Sequence, residues 1–321
     1  MEIQELENKW VSLNETTSAV FKSLRIDGLS VPDLFIGVST EQNRCLILQL
    51  PKNYKPDFQS SVKQNLSLEL YEKSRWIVLT LLDEQYHDLF NDLILSLYNK
   101  IKDILDPNIY VSELLRTYYK WSEFFVEGLG EGLSDNQIKG MLGELIVLKE
   151  LLKKSSSLTL NDVLNSWKGP YDTGHDFVGE DKDIEVKTKI LGASNIKISS
   201  EYQLQSEPGK ALELNVVNVS NEPLNGISLG DMVLIIREYV IERLGDYTIV
   251  LRALAQKGLT LKTLNSYDNL KFQIVNMVVY ECDNEDFPKL IRSELPDSIN
   301  SVVYNLNINQ IENFIISQTT F

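Results

Sequence analysis

The stretch GHDFVGEDKDIEVKTKI, residues 174–190, predicts two adjacent strands joined by a short acidic turn. Eight of its side chains are charged, yet Phe, Val and Ile recur between them. Because side chains alternate between the two faces of a strand, residues 183–190 carry apolar side chains on one face and charged side chains on the other. The charged face is either an ordinary solvated surface or a set of groups directed at a metal ion and a phosphate. Its members are Asp183, Glu185, Lys187 and Lys189.

Asp176 and Glu185 are the pair that favours the second interpretation. The turn is short enough to lay the strand that ends at Asp176 beside residues 183–190, so the two carboxylates can converge at one edge of the sheet. Converging carboxylates repel each other unless a cation lies between them, and oxygen ligands suit Mg²⁺. Lys187 lies about 6.5 Å from Glu185 along the same face, where it can orient a water and offset charge on a phosphate.

A helix that precedes this hairpin brings a third carboxylate. Asp135 is its predicted N-cap, and the apolar side chains of residues 138–152 recur at helical spacing. Glu144 lies at the edge of this apolar stripe, where it can reach the same edge of the sheet if the helix packs on it. Gly140 and Gly143 lower the helix propensity, which suggests that another backbone approaches the helix closely.

Together these elements predict the order α-β-β-β-α-β over residues 136–219. The predicted elements are a helix over 135–154, strands over 163–170, 174–179 and 183–190, a segment 195–200 that leads into a short helix over 200–205, and a strand over 211–219.

Three glycines within residues 127–136 predict a domain boundary. We expect an N-terminal α+β domain, residues 1–130, that serves interaction, dimerisation or DNA contact. The second domain, residues 131–321, is expected to contain the core, 136–220, and an α/β extension, 221–321. The fold class predicted for the whole chain is mixed α/β.

The flanking regions are predicted from hydrophobic periodicity alone. The N-terminal domain is expected to contain a helix near residues 2–12, strands over 34–39, 45–50, 66–71 and 75–82, a long helix capped by Asp83, and a helix from Ser112 to about Phe125. The extension is expected to contain helices over 228–244, 247–258, 285–295 and 310–316, and strands over 271–282 and 299–308.

The charge of the chain is strongly acidic, with a formal net value of −15. This value argues against a simple nucleic-acid binder, which usually has a basic face. Residues 137–220 are nearly neutral, however, with ten lysines and twelve carboxylates. This part can therefore approach DNA while the acidic flanks act as solubilising surface.

The cellular setting follows from what the sequence lacks. Cys45 and Cys282 are too far apart in sequence to build a disulfide framework or a zinc motif, which fits a reducing compartment. The first residues do not form a signal peptide, and no run of about 18 apolar residues occurs. We therefore expect a soluble cytoplasmic protein without membrane association.

The ordered set of Glu144, Asp176 and Glu185-Val186-Lys187 resembles the PD-(D/E)xK nuclease superfamily, whose core has the order αβββαβ. The segments KGMLGELIVLKELL, WKGPYDTGHDF and IEVKTK look more specifically like the uncharacterised PD-(D/E)xK motif proteins of bacterial restriction and defence loci. The resemblance is most explicit over residues 137–205. One departure is His175, which stands where the family name has proline.

The resemblance implies a DNA endonuclease of restriction-enzyme type that acts in prokaryotic defence against foreign DNA. It implies that Asp176 and Glu185 hold Mg²⁺, for which Mn²⁺ can substitute, and that Glu144 completes the ligands directly or through water. Lys187 is implied to position the attacking water. DNA is the expected partner, and a homodimer or other defence-locus proteins are further candidates. The alternatives are a catalytically silent scaffold in a multi-protein defence complex, or an enzyme that acts on RNA.

Three further residues are lesser candidates. His175 can act as a general base or contact phosphate, or it can point away from Asp176 and be structural. Gln203, on the predicted short helix, can touch the metal site, and Lys189 can contact the DNA backbone. The other charges of residues 174–190, Asp183 among them, are expected mostly to face solvent. The sequence contains no P-loop, no dinucleotide-binding glycine motif and no zinc-protease motif, so it does not encode an ATP-driven translocase.

Overall fold

The computed structural model describes residues 1, 3–14, 22–28, 31–56, 58, 60–63, 65–125, 132–171, 174–299 and 302–321. The chain divides into two compact units, Met1–Glu127 and Gly128–Phe321. Most of the glycine-rich segment between them lies outside the described residues. Within the described ranges, no helix is both long and apolar enough to cross a membrane.

In the described part of the first unit, a six-stranded antiparallel sheet is accompanied by three α-helices. Its sheet has the order β1-β2-β3-β6-β5-β4, with the apolar strands β2, β3 and β6 adjacent to one another and largely buried. The elements are α1 (Ile3–Asn14), β1 (Lys22–Arg25), β2 (Leu34–Val38), β3 (Arg44–Gln49), β4 (Ser61–Lys63), β5 (Leu66–Tyr71), β6 (Trp76–Leu81), α2 (His87–Ile101) and α3 (Pro107–Trp121).

Two helix starts in this unit differ from the prediction. α3 begins at Pro107, and the side chain of Asp106 caps it by accepting a hydrogen bond from Asn108 N. The prediction that Ser112 opens this helix is therefore wrong, since proline is well suited to a first helical position and Asp to the cap. Asp83 caps a short 3-10 turn that leads into α2. The short strands β1 and β4 were not predicted, because each is brief and largely polar.

The second unit contains the predicted hairpin within a five-stranded mixed sheet of order β13-β11-β10-β8-β7. β8 runs parallel to β10 and antiparallel to β7, and a separate two-stranded sheet pairs β9 with β12. The elements are α4 (Asp135–Lys154), α5 (Leu160–Ser166), β7 (Phe177–Val178), β8 (Lys182–Ile190), β9 (Asn195–Ile198), β10 (Ala211–Asn221), α6 (Leu229–Glu242), α7 (Thr248–Gln256), α8 (Leu261–Leu264), β11 (Phe272–Glu281), β12 (Tyr304–Asn307) and β13 (Ile315–Thr320).

The five-stranded sheet is covered on both faces. α4 packs on β8 on one face and against α6. α4 lies close to β8 at Gly143, where an added Cβ would lie 1.8 Å from Thr188 Oγ1. On the opposite face, Ile196 of β9 belongs to the same buried cluster as Leu214 of β10 and Val278 of β11. The central strands are therefore covered on both sides, although β8 carries charged side chains on one of its faces.

The mixed α/β class is confirmed, but several predicted elements are wrong. Residues 163–170 are not a strand: α5 ends at Ser166, and only Trp167 forms an isolated bridge, to Phe177. Residues 201–204 form a turn instead of a helix, so the connection between β8 and β10 contains β9 and this turn. The predicted order α-β-β-β-α-β is corrected to α-α-β-β-β-β over α4 to β10.

Three further boundaries are corrected. Ser134, rather than Asp135, is the N-cap of α4, in a capping box with Gln137. Residues 285–295 contain only a 3-10 turn, Arg292–Glu294, in place of a helix. Residues 310–316 form 3-10 turns and then enter β13, which pairs with β11.

Candidate functional site

The prediction that Asp176 ends a strand is wrong: Asp176 precedes β7, and this strand fixes it at the edge of the sheet. β7 pairs with β8 at Phe177–Ile184 and Val178–Asp183, and beyond Ile184 no described strand pairs with β8 on that side. The carboxylate takes this place: Val186 N donates a hydrogen bond of 2.7 Å to Asp176 Oδ2. Because Val186 lies between Glu185 and Lys187, the bond sets Asp176 beside both.

Glu144 reaches the same edge from α4. Trp167 Nε1 donates a hydrogen bond of 2.8 Å to Glu144 Oε2. An added Cβ on Gly169 would lie 2.2 Å from this oxygen and 2.9 Å from Asp176 Oδ1, so the two carboxylate oxygens are at most about 5.1 Å apart. Gly169 N is itself held by the carbonyl of Asp176 at 3.0 Å. Only glycine leaves room for both carboxylates under this turn.

Glu185 and Lys187 project from the other face of β8. Glu185 is in register with Leu214, which belongs to the core on the side of the small sheet, whereas Thr188 faces Gly143 of α4. Glu185 is 1% exposed, and its Oε1 accepts a hydrogen bond of 2.6 Å from Lys187 Nζ. Glu144 and Glu185 therefore approach from opposite faces and come near each other only at the edge beside β7.

Burial and mutual repulsion perturb these carboxyl groups. Burial, followed by the charge of Asp176, raises the pKa of Glu144 and of Glu185 to about 8. Burial also raises the pKa of Asp176, against the opposing effect of the hydrogen bond from Val186. Three desolvated carboxyls in one place disfavour their charged forms, which a cation would relieve. Perturbed groups of this kind cluster at functional sites.

Lys257 is a cation near the site that sequence reasoning missed. It follows α7, and its charge opposes the effect of burial on the pKa of both Glu144 and Asp176. No local motif marks this lysine, because it lies 72 to 113 residues from the three carboxylates in sequence. A prediction of Lys257 would have required the packing of α7 near the turn Gly169–Tyr171.

The donor set fits a hard divalent cation. One oxygen of each carboxylate accepts a hydrogen bond that positions it. The donor is Val186 N for Asp176, Trp167 Nε1 for Glu144 and Lys187 Nζ for Glu185. The second oxygen of Glu185, Oε2, is buried and has no hydrogen-bond partner among the described residues. In that same part of the chain, no group of three or more His, Cys, Asp and Glu side chains is placed so that it could hold a metal ion. Mg²⁺ is typically held by one or two carboxylates plus water, so a site for it does not require three protein ligands.

The lesser candidates lie in different surroundings. Lys189 is 8% exposed, and its Nζ donates a hydrogen bond of 2.7 Å to Ala193 O. Gln203 Oε1 accepts a hydrogen bond of 2.7 Å from Ser199 N within a turn. Within the described chain, neither contacts the three carboxylates. His175 is buried next to Asp183, which is 1% exposed. The expectation that Asp183 and Lys189 face solvent is therefore wrong.

Comparison with known proteins gives one match. The sequence matches, over residues 6–309, the model of a family described as "Putative PD-(D/E)XK family member, (DUF4420)". No curated protein and no solved structure matches the chain.

Proposed function

This chain belongs to the PD-(D/E)XK family DUF4420, and we propose that it is a metal-dependent nuclease that hydrolyses phosphodiester bonds in DNA. The observation that carries the proposal is the hydrogen bond from Val186 N to Asp176 Oδ2, which joins Asp176 to the Glu185–Lys187 strand. Glu144 is within about 5.1 Å of Asp176, from the distances that both make to the Cβ position of Gly169. Three carboxylates and one ammonium, the kinds of group that phosphodiester hydrolysis needs, thus share one edge of a sheet. They belong to Glu144, Asp176, Glu185 and Lys187.

The carboxylates would hold the cation. Asp176 and Glu185 are the proposed ligands of Mg²⁺, or of Mn²⁺ in its place, and Glu144 joins them directly or through water. The bound ion would polarise a phosphoryl oxygen and acidify a water molecule. Trp167 keeps the Glu144 carboxylate oriented through its 2.8 Å hydrogen bond, and the buried indole excludes water from that side.

Lys187 would act on the phosphate and the attacking water. Its ammonium lies 2.6 Å from Glu185 Oε1, and the side chain is 16% exposed, so it is held at the site yet reachable from solvent. An ammonium in this place can donate a hydrogen bond to the water and offset negative charge that develops on the phosphoryl oxygens. Cleavage would leave 5′-phosphate and 3′-hydroxyl ends.

The cellular role that we propose is restriction-type cleavage of foreign DNA in the prokaryotic cytoplasm. Cleavage of both strands would need two sites, which a two-fold symmetric homodimer would supply. Two other possibilities remain as outcomes of the test below. One is cleavage of RNA, and the other is a silent scaffold within a defence complex, which the net charge of −15 favours.

The test is cleavage of supercoiled plasmid DNA with Mg²⁺ or Mn²⁺ by wild type, Lys187→Ala and Asp176→Asn. Loss of a positioned ligand or cation at a reacting phosphate should lower the rate by about a hundredfold or more. The matched controls on the same hairpin are Lys182→Ala and Glu180→Gln, both exposed and outside the site. They should cleave like wild type.

Each other result has a distinct meaning. Cleavage that survives both site changes would come from a contaminant. Cleavage of RNA but not of DNA would move the proposal to an RNA substrate. Absence of cleavage for every substrate and metal, with candidate partner proteins added, would leave the silent scaffold.

A further inference from the structure

A pocket of about 320 Å³ lies on the side of the turn that connects β9 to β10, and one of its lining residues, His175, directly precedes Asp176. Its volume is at the lower end of the range of small-molecule sites, about 300–1,000 Å³. The proposed reaction does not use this pocket. It is lined by Gly174, His175, Val178, Tyr202, Gln205, Ser206, Glu207 and Pro208.

A buried His–Asp pair forms one wall of this pocket. His175 is 6% exposed, and its Nδ1 lies 3.5 Å from Asp183 Oδ2. The other oxygen of Asp183 accepts a hydrogen bond of 3.2 Å from Gly179 N and lies 3.5 Å from Lys210 Nζ. With Nδ1 turned to a carboxylate, Nε2 is the ring nitrogen left for another partner. It is buried and has none among the described residues.

The remaining lining residues combine an aromatic ring with side chains that can donate or accept hydrogen bonds. Tyr202 is 51% exposed, so its ring is available for stacking. Gln205 Oε1 accepts a hydrogen bond from Ser293 N, which fixes the amide and leaves its NH₂ group to donate. Glu207 adds an acceptor, and Val178 supplies an apolar side. Glu207 also pairs with Lys210 at 3.0 Å. A planar ring with donors and acceptors on its edge complements such a lining, and a nucleobase is such a ring.

The place of the pocket links it to the proposed nuclease site. His175 directly precedes Asp176, and Asp183 lies two residues before Glu185 on the same face of β8, about 6.6 Å away by the usual strand rise. One nucleotide can bridge that distance. We infer that the pocket binds an unpaired nucleobase of the strand whose phosphate lies at the carboxylates. This inference rests on the proposed function, and it adds single-stranded or base-flipped nucleic acid as the substrate form.

The experiment compares binding of two short strands of equal length, one with all its bases and one abasic throughout, with EDTA present to prevent cleavage. Wild type should prefer the strand with bases by about fivefold or more, as expected for stacking of a base on an aromatic ring. Tyr202→Ala should remove this preference, and Tyr202→Phe should keep it because the ring remains. Tyr71→Ala is the matched control, since Tyr71 is 47% exposed and belongs to the other unit.

Photocrosslinking with a strand that contains 5-iodouracil gives an independent measurement. Mass spectrometry should find the crosslink in the peptide with Tyr202, and Tyr202→Ala should abolish it. Equal binding of both strands by wild type, or an unchanged preference in Tyr202→Ala, would overturn the inference and leave the nuclease proposal intact if plasmid cleavage still depends on Lys187. Absence of binding and cleavage with every nucleic acid would overturn both. Binding of free nucleotides without binding of strands would also overturn the inference.

Discussion

Replacing Gly143 by alanine should force α4 away from β8, whereas the same change at Gly140 should stabilise the helix. A Cβ at residue 143 would lie 1.8 Å from Thr188 Oγ1 and 3.1 Å from Thr188 Cβ. Rotation of the threonine side chain removes the first clash but not the second, because the strand backbone fixes Cβ. A Cβ at residue 140 would meet nothing within 4 Å. The two glycines thus form a matched pair on one helix.

The size of the expected change in unfolding free energy follows from comparing Gly140→Ala with Gly143→Ala. Both substitutions gain the helix propensity of alanine over glycine, about 0.8–1 kcal/mol. Only Gly143→Ala adds overpacking, which typically costs about 1–3 kcal/mol. The unfolding free energy of Gly140→Ala should therefore exceed that of Gly143→Ala by about 1–3 kcal/mol, because the propensity gain cancels. The shift of Glu144, the next residue, should also slow plasmid cleavage by about tenfold or more.

The assay is urea unfolding of the full chain, followed by circular dichroism, for wild type, both alanine variants and the double variant Gly143→Ala/Thr188→Ala. Loss of Thr188 Oγ1 and Cγ2 should restore part of the stability, so the two changes should be non-additive. Equal stabilisation by the two glycine substitutions would refute the close approach of α4 to β8.

Two other perturbations act on the carboxylates themselves. In metal-free protein, the unfolding free energy should fall as pH rises from 4.5 to about 8, because Glu144 and Glu185 keep their protons in the folded chain up to pKa values of about 8, while unfolded glutamates ionise near 4.5. At roughly 1.4 kcal/mol per pKa unit, Glu185 alone sets an upper bound of about 5 kcal/mol. In urea unfolding, the free energy of wild type should fall with pH, whereas that of the double variant Glu144→Gln/Glu185→Gln should not show this fall. A difference in unfolding free energy between the two proteins that is the same at every pH would contradict the raised pKa values. Gly169→Ala should abolish plasmid cleavage with little change in melting temperature, since its Cβ would lie 2.2 Å from Glu144 Oε2 and 2.9 Å from Asp176 Oδ1. Gly28→Ala, whose Cβ would meet nothing within 4 Å, is the control, and full activity of Gly169→Ala would show that the carboxylates do not need their present positions.

The hairpin could be predicted because its signals are local. Alternation over residues 183–190 specifies a strand with two unlike faces, and the short turn dictates which strand pairs with it. The helix that carries Glu144 shows an equally local period. These features also carried the resemblance to the PD-(D/E)xK superfamily, which the family match confirms.

Elements that depend on distant contacts could not be predicted. Residues 310–316 have helical spacing, but the hydrogen bonds that β11 offers to residues 315–320 outweigh it. In residues 285–295, Pro288 lacks a donor, and Leu290 N donates to Tyr304 OH instead of to a helical carbonyl. Tertiary contacts override local propensity in both segments.

The burial of Asp183 and Lys189 also could not be predicted from the sequence. Alternation shows that Asp183 shares a face with Glu185, but it does not show what covers that face. Lys210 Nζ lies 3.5 Å from Asp183 Oδ1, and Gly179 N donates a hydrogen bond of 3.2 Å to the same oxygen, so a carboxylate can be buried there. Lys189 is accommodated by a single backbone carbonyl, that of Ala193. Such covering groups become visible only when the fold is known.

Because Val186 N donates a hydrogen bond to Asp176, the position of Asp176 depends on the length of the turn at residues 179–182 more than on the composition of that turn. β8 is held in register by β10, so an inserted or deleted residue would displace Asp176 and turn it to the opposite face. Exchange of the exposed Glu180 or Asp181 leaves that spacing intact. We therefore expect the turn to tolerate substitutions, whereas insertion or deletion of one residue there would separate Asp176 from Val186 N.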